Sequence, residues 1–418
     1  MAFVNAEPFQ INPDSAGKSY RLPFILVTSL FFLWGLANIL NSALIAHFQP
    51  VFDISRTQAL LVETAFYFGY FTIAIPAGLF IERFSYKKGI ILGLLLYAFG
   101  ALLFIPAAKL LTFSFFLIAL YIIATGLAFL ETAANPYVSI LGKSETAVQR
   151  LNFSQSFNGM ALVVGPWIAG QFIFSGNEQI HSALDKQRAA ESVIFPYSVI
   201  GGVVMLIAVL FYFLKMPEPV KGVKLMFDKT IFKQKHLMHA VMTQLFYVGA
   251  QAGIWGITIN YITEQIPGTS REIDSKNYMA IGTALFVIGR FLGTWFMSFI
   301  KDHRLLAFYG LIAAILSLAG AVASGHVAVY SILSIYFFMS IMFPTIFALG
   351  VKDLGEQQKL GSSFIIMAIV GGAIIPPLMG LLADSFGVRA SFFVPLICFL
   401  FVVHFGLQGY KTKILTTR

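Results

Sequence analysis

The chain has 418 residues, of which 58% are hydrophobic and only 11% charged, where an average soluble domain carries roughly 25% charged residues. With 44 Phe to bury and few charges to solvate a surface, a water-soluble fold is excluded and a chain surrounded by lipid is implied. The net charge of +9 does not mark a nucleic-acid binder, because the basic residues fall in short loops between apolar runs.

Met1 to Tyr20 is polar, has no apolar core before Pro23, and reads as a cytoplasmic tail with no cleavable signal peptide. Runs long enough to cross about 30 Å of hydrocarbon then follow at 23–46, 57–80, 88–108, 112–136, 149–174, 194–215, 237–264, 278–299, 304–323, 327–349, 361–384 and 389–409. With the N-terminus inside, cytoplasmic segments hold twenty of the Lys and Arg residues and outer loops seven, which places both termini in the cytoplasm. The fold class is therefore all-α integral membrane, with 12 transmembrane helices in two six-helix bundles, multi-pass in the cell inner membrane. The expected organisation is a tail over 1–22, a bundle over 23–215, a linker over 216–236, a second bundle over 237–410 and a tail over 411–418. The Lys-rich linker reads as a solvated run that sets topology, with specific lipid or partner binding as the alternative. Cys398, the single cysteine, excludes an intrachain disulfide and a Cys-built metal site.

The two halves show a weak repeat. Asn135-Pro136-Tyr137-Val138-Ser139-Ile140-Leu141-Gly142 in span 4 resembles Phe343-Pro344-Thr345-Ile346-Phe347-Ala348-Leu349-Gly350 in span 10. Corresponding Pro and Gly six spans apart suit the parallel repeats of transporters. The stretch Gly78-Leu79-Phe80-Ile81-Glu82-Arg83-Phe84-Ser85-Tyr86-Lys87-Lys88 resembles the loop signature of the major facilitator superfamily, with Glu82 for its usual Asp and Glu82 and Arg83 as structural charges. Further stretches in both halves are Phe31-Phe32-Leu33-Trp34, Ala65-Phe66-Tyr67-Phe68-Gly69-Tyr70-Phe71, Leu130-Glu131-Thr132-Ala133-Ala134-Asn135-Pro136, Tyr247-Val248-Gly249-Ala250-Gln251, Gly289-Arg290-Phe291 and Gly361-Ser362-Ser363-Phe364. They are similar, in the same order, to the fucose/galactose/glucose symporter family of that superfamily. The resemblance implies the major facilitator fold around a central cavity, working as a monomer by alternating access. It also implies uptake of a neutral hexose or 6-deoxyhexose driven by a cation gradient, with Glu131 in sugar binding and coupling. One departure matters. Where the family's fucose-transporting pattern ends Asn-Asn-Leu-Asn-Asp, this chain has Asn38-Ile39-Leu40-Asn41-Ser42, so a proton-handling carboxylate is replaced by the hydroxyl of Ser42.

The ionisable groups deep in predicted spans are Glu63, Glu131 and Arg290, and each is expensive enough in hydrocarbon to be a functional candidate. Glu63 shares a helix face with Tyr67 and Tyr70, about 9 Å below the outer end of its span. It can carry a proton in place of the missing Asp, or with Ser42 and Asn41 bind Na+ through oxygen ligands. A structural carboxylate held by a Tyr or the backbone is the plainer alternative. Glu131 lies about 20 Å further in along the membrane normal, and partnering Arg290 is its plainer role. Arg290 keeps its proton and must find an acceptor, with an ion pair as the simplest.

Sugars are held by amides and flat aromatic faces in a partly dry cleft. Asn38, Asn41 and Ser42 share one face of span 1, and Asn152, Gln155 and Asn158 one face of span 5. Gln244, Tyr247, Gln251, Trp255 and Thr258 line span 7, and with Glu131 and Asn135 these stripes form the candidate sugar site. Amides also join helices to one another, which is the alternative for any single one. Gly142-Lys143-Ser144 lacks the first glycine of a phosphate loop, no His-Glu-x-x-His motif exists, and His236 and His239 read as interfacial. Without a nucleophile–base pair the chain is not expected to be an enzyme or to need a cofactor. The expected partners are a monosaccharide, H+ or Na+, and the lipid bilayer. Alternatives are a Na+-coupled or uncoupled carrier for glucose, galactose or an amino sugar, and a non-transporting membrane sugar sensor.

Overall fold

Hydrocarbon offers no water to a backbone N–H or C=O, so each long apolar run must close its own hydrogen bonds as helix. The computed structural model describes residues 21–54, 61–173, 182–217, 229–266 and 274–412, with Gln58 and Gly268. The expected N-terminal tail up to residue 20, most of the linker (218–228) and residues 413–418 lie outside the described residues. The helices are α1 (Arg21–Phe52), α2 (Leu61–Arg83), α3 (Tyr86–Leu102), α4 (Phe104–Lys109), α5 (Phe113–Ile140), α6 (Ala147–Ile168), α7 (Ala183–Glu191) and α8 (Ile194–Phe213), then α9 (Lys235–Gln265), α10 (Asp274–Phe296), α11 (Asp302–Val322), α12 (Gly325–Met339), α13 (Met342–Gly350), α14 (Gln358–Met367), α15 (Gly371–Phe386) and α16 (Phe393–His404). The third expected span is α3 with α4, the tenth α12 with α13, and the eleventh α14 with α15 across a 3-10 turn at Ala368–Val370.

Among the described residues, ten helical stretches are long and apolar enough to cross a bilayer. The other two expected spans are α6, continued by a π turn at Ala169–Ile173, and α9. They are helical as expected, and their polarity comes from the stripes Asn152–Gln155–Asn158 and Gln244–Gln251. The outer surface is what lipid requires: Phe213 and Phe386 are each 75% exposed, which would be an aggregation liability in water.

The repeat segments of spans 4 and 10 both end a helix that a 3-10 turn and a further helix follow, but they differ at the proline. Pro136 sits inside the continuous α5, whereas the chain breaks at Ser340–Ile341 before α13, with Pro344 in the first turn of α13. A proline in a first helical turn is tolerated because its missing N–H has no intrahelical acceptor there. The short helix α7 was not foreseen. Ser182 caps it, with Asp185 returning the bond in a capping box. Its residues tie it to neighbours: His47 Nε2 lies 2.9 Å from Ala189 O, Gln187 donates to Ala108 O at 3.3 Å, and Lys186 pairs with Asp53.

The described residues form two compact units. One comprises those within 11–138 and 157–224, the other 139–156 and those within 225–418. In the first, Lys87 Nζ donates to Tyr212 O and Leu214 O, both at 2.8 Å, so a cation closes the carbonyl end of α8. In the second, α9 and α15 cross so closely that a Cβ on Gly371 would lie 2.0 Å from Leu245 O. Small residues let membrane helices approach to backbone contact. Gly371→Ala should therefore lower stability by about 1–3 kcal/mol, the usual range for overpacking. Gly380→Ala, where nothing lies within 4 Å, should leave the detergent melting temperature in place; equal melting of the two variants would refute the crossing.

Candidate functional site

In the first unit the central group is Glu131 on α5, only 4% exposed. Tyr70 of α2 donates to its Oε1 at 2.6 Å. One turn on, Asn135 Nδ2 donates to Glu131 O at 3.0 Å. On α1, Asn38 Nδ2 donates to Trp34 O at 3.0 Å and Ser42 to Asn38 O at 3.4 Å, so both side chains turn back on their own helix. Asn41 is different: it is 4% exposed and its Oδ1 is buried with no hydrogen-bond partner among the described residues. Asn158 of α6 donates to Phe31 O at 3.2 Å, joining α6 to α1. Glu63 lies half-buried in the first turn of α2, one turn before Tyr67.

The polar residues of the second unit gather around Arg290, 3% exposed on α10. Pro344 has no N–H to bond the carbonyl four residues earlier, that of Ser340. Arg290 supplies the missing donor, with Nε 2.8 Å from Ser340 O. Its Nη1 donates to Gln155 O at 2.6 Å, and its guanidinium lies 4.6 Å from the centre of the Phe286 ring. Among the described residues of its own unit, Arg290 thus meets two carbonyls and an aromatic face. Nearby, Tyr247 donates to Met339 O at 2.9 Å, satisfying a second carbonyl at the same helix break. Asn152 donates to Thr345 Oγ1 at 3.1 Å, and Gln149 to Ser298 Oγ at 2.7 Å and Thr294 O at 3.2 Å.

Gln244 is fully buried, and both its amide atoms have no partner among the described residues. Trp255 is half-buried, its Nε1 is likewise unpartnered, and its ring stacks on Tyr336 at 6.2 Å. Gln251, between them on α9, is half-buried. Buried polar atoms are normally satisfied, so such atoms point to ligand or water contacts. The stripe residues therefore divide. Asn135, Asn158 and Tyr247 spend a donor on backbone carbonyls, while Asn41, Gln244 and Trp255 retain unused hydrogen-bonding atoms.

Glu82 is half-buried, and Arg83 is exposed with its guanidinium 5.5 Å from the Phe84 ring. Tyr70, Ser340 and Thr345 were missed as site residues. Tyr70 carried a signal, its place on the Glu63 face of α2, but nothing in the sequence names the helix it faces.

The family model described as Major Facilitator Superfamily matches residues 24–368, and the chain belongs to that superfamily. Within it, the chain is 41% identical to the L-fucose-proton symporter of Escherichia coli K12, across 96% of this chain and 97% of the relative. It is 37% identical to the glucose/galactose transporter of Brucella abortus, across 95% and 96%. The crystal structure of the fucose:proton symporter FucP in the outward conformation superimposes with a TM-score of 0.86 at 40% identity, covering 94% of this chain and all of that one. The proton:xylose symporter XylE, 15% identical with a TM-score of 0.72, shares the fold.

The Ser340–Arg290 contact makes a testable cycle. Arg290→Met should cost about 1–3 kcal/mol of stability by leaving buried carbonyls without a donor. Pro344→Ala restores an N–H that can reach Ser340 O, so adding it to Arg290→Met should recover part of the loss. Strict additivity of the two changes in detergent melting would refute the assignment.

Proposed function

We propose that this protein is a secondary active transporter that takes up a neutral monosaccharide, a hexose or 6-deoxyhexose, together with a proton, by alternating access. The observation that carries this reading is Glu131, a carboxylate buried deep in a membrane helix and held, among the described residues of its unit, by a neutral phenol. A buried carboxylate that is not locked to a fixed cation can have its charge cancelled by a proton, which links a neutral cargo to a gradient. The names of the relatives, L-fucose with proton and glucose/galactose, support cargo of this size and chemistry.

Asn41, Gln244 and Trp255 are the best ligands for sugar hydroxyls, since their free atoms are already desolvated. Asn38, Asn135, Gln155, Asn158, Tyr247 and Gln251 complete the proposed sugar-facing set. Glu63 and Ser42 stand at the outer end of the coupling route. The protein works as a monomer in the inner membrane with both termini cytoplasmic, its bundles over 23–215 and 237–410 joined by the linker over 216–236.

Counterflow in proteoliposomes with labelled L-fucose, glucose, galactose, mannose and N-acetylglucosamine tests the cargo without any gradient. Exchange of one hexose is expected; silence with all of them, in folded protein, would sink the sugar reading. An imposed pH gradient should then drive accumulation, and accumulation driven by Na+ alone would replace the proton with sodium. Glu131→Gln should reduce proton-driven accumulation to simple equilibration while exchange persists, because the amide mimics the protonated acid. Glu63→Gln should do the same, and wild-type accumulation in that variant would remove Glu63 from the coupling route.

A further inference from the structure

Glu131 and Tyr70 meet because α2 and α5 approach unusually closely. A Cβ on Gly69 would lie 2.7 Å from Ala124 Cβ and 3.1 Å from Tyr121 O, so only glycine lets the helices come this near. The next residue, Tyr70, is 1% exposed, packs its ring 5.5 Å from Phe66, and reaches Glu131 Oε1. The other titratable groups facing the pair are phenols. Tyr67 precedes Tyr70 on α2 and feels Glu63, while Tyr97 of α3 faces Tyr70 and donates to Leu33 O at 3.2 Å. Within the described residues of this unit, no Lys, Arg or His acts on the Glu131 carboxylate.

We propose that Tyr70 is the positioning residue of the coupling step: its hydroxyl holds Oε1 of Glu131, stabilises the carboxylate, and leaves Oε2 to take up and give back the proton. The proposal rests on the proton-symport reading above. Its physical basis is the strength of the donor. A hydrogen bond to a charged acceptor is roughly twice as strong as one to a neutral acceptor, so the phenol favours the ionised acid. It adds no formal charge, so it does not hold Glu131 ionised as a buried Lys or Arg would. A neutral donor therefore leaves both protonation states within reach, as a carrier that loads and unloads in every cycle requires. The proton passes from hydronium in the outer water to Oε2, the hydronium O–H bond breaking as the carboxyl O–H forms, and it leaves from the same oxygen to a water molecule on the inner side, which becomes hydronium.

Tyr70→Phe keeps the ring and deletes the hydroxyl. Uptake falls at alkaline pH when Glu131 can no longer be loaded from outside. Losing the phenol donor should move that alkaline limb upward by about one pH unit, a tenfold change in proton affinity. Tyr70→Phe added to Glu131→Gln should move nothing, because the amide does not titrate. A merely structural Tyr70 predicts lower rates with the limb unmoved, and that result would overturn the proposal. Wild-type protein carrying ring-labelled tyrosine gives a second readout that needs no Tyr70 variant. In infrared difference spectra, a phenol C–O stretch should shift in step with the carboxyl band that Glu131→Gln abolishes, and independent titration of the two bands would count against it. Wild-type counterflow without any alkaline limb of uptake would overturn both proton coupling and this proposal, leaving the sugar carrier standing.

Discussion

Ser340 has a carbonyl that its own helix cannot satisfy, because the residue four positions on is Pro344. In a dry interior such a group costs several kcal/mol, so a donor must come from elsewhere. Arg290 provides it, and the rest of its surroundings follow. Its second donor reaches Gln155 O, its face covers Phe286, and Tyr247 closes the adjacent Met339 carbonyl. An arginine and a tyrosine from two other helices thus satisfy two neighbouring carbonyls, Ser340 O and Met339 O, at the break that precedes Pro344. Because Gln155 belongs to the same compact unit, the first half of α6 is fastened to α10 by the Arg290–Gln155 bond, with Asn152–Thr345 and Gln149–Ser298 beside it.

The two helices that look least like membrane spans are the ones richest in candidate contacts. α6 carries Asn152, Gln155 and Asn158, and α9 carries Gln244, Gln251 and the indole of Trp255. Each amide lowers the apolar average of its helix. A helix surrounded by protein can bear them, because its polar face meets partners rather than lipid. The polarity that weakens the membrane signal is what marks these two helices as the candidates for the proposed binding.

This difference also sets how much of the molecule was legible in the sequence. Helix class, number and approximate limits follow from apolar run length, a one-dimensional property. The amide stripes follow from helical periodicity, and Glu131 and Arg290 from the rarity of buried charge. What each charge touches does not follow, since partners such as Tyr70 and Glu131 are 61 positions apart and Arg290 and Gln155 are 135 apart. The ion pair expected of Arg290 came from treating charge as the thing to be matched. Among the described residues of its own unit, Arg290 meets backbone dipoles, and the Ser340 one is available because of where Pro344 falls. Likewise α7 is set by a capping box and by contacts to Ala108 and His47, local chemistry within a loop too polar to read as a span.

Both deeply buried charges are held by neutral groups of their own unit, the cation by carbonyls and the anion by a phenol. An internal ion pair would be self-sufficient: breaking it to admit a proton or a sugar would strand a buried charge. Neutral partners avoid that trap. They solvate each charge well enough for the fold to persist, yet among the described residues of its unit no fixed cation cancels the Glu131 charge. A proton is then a natural way to neutralise it. Ser42 sharpens the point. The resemblance implies an aspartate at this place on α1; Ser42 offers only a hydroxyl there, and that hydroxyl is turned back on Asn38 O. On the coupling role proposed for Glu131, the strength of the Tyr70 donor that holds it becomes the quantity to measure.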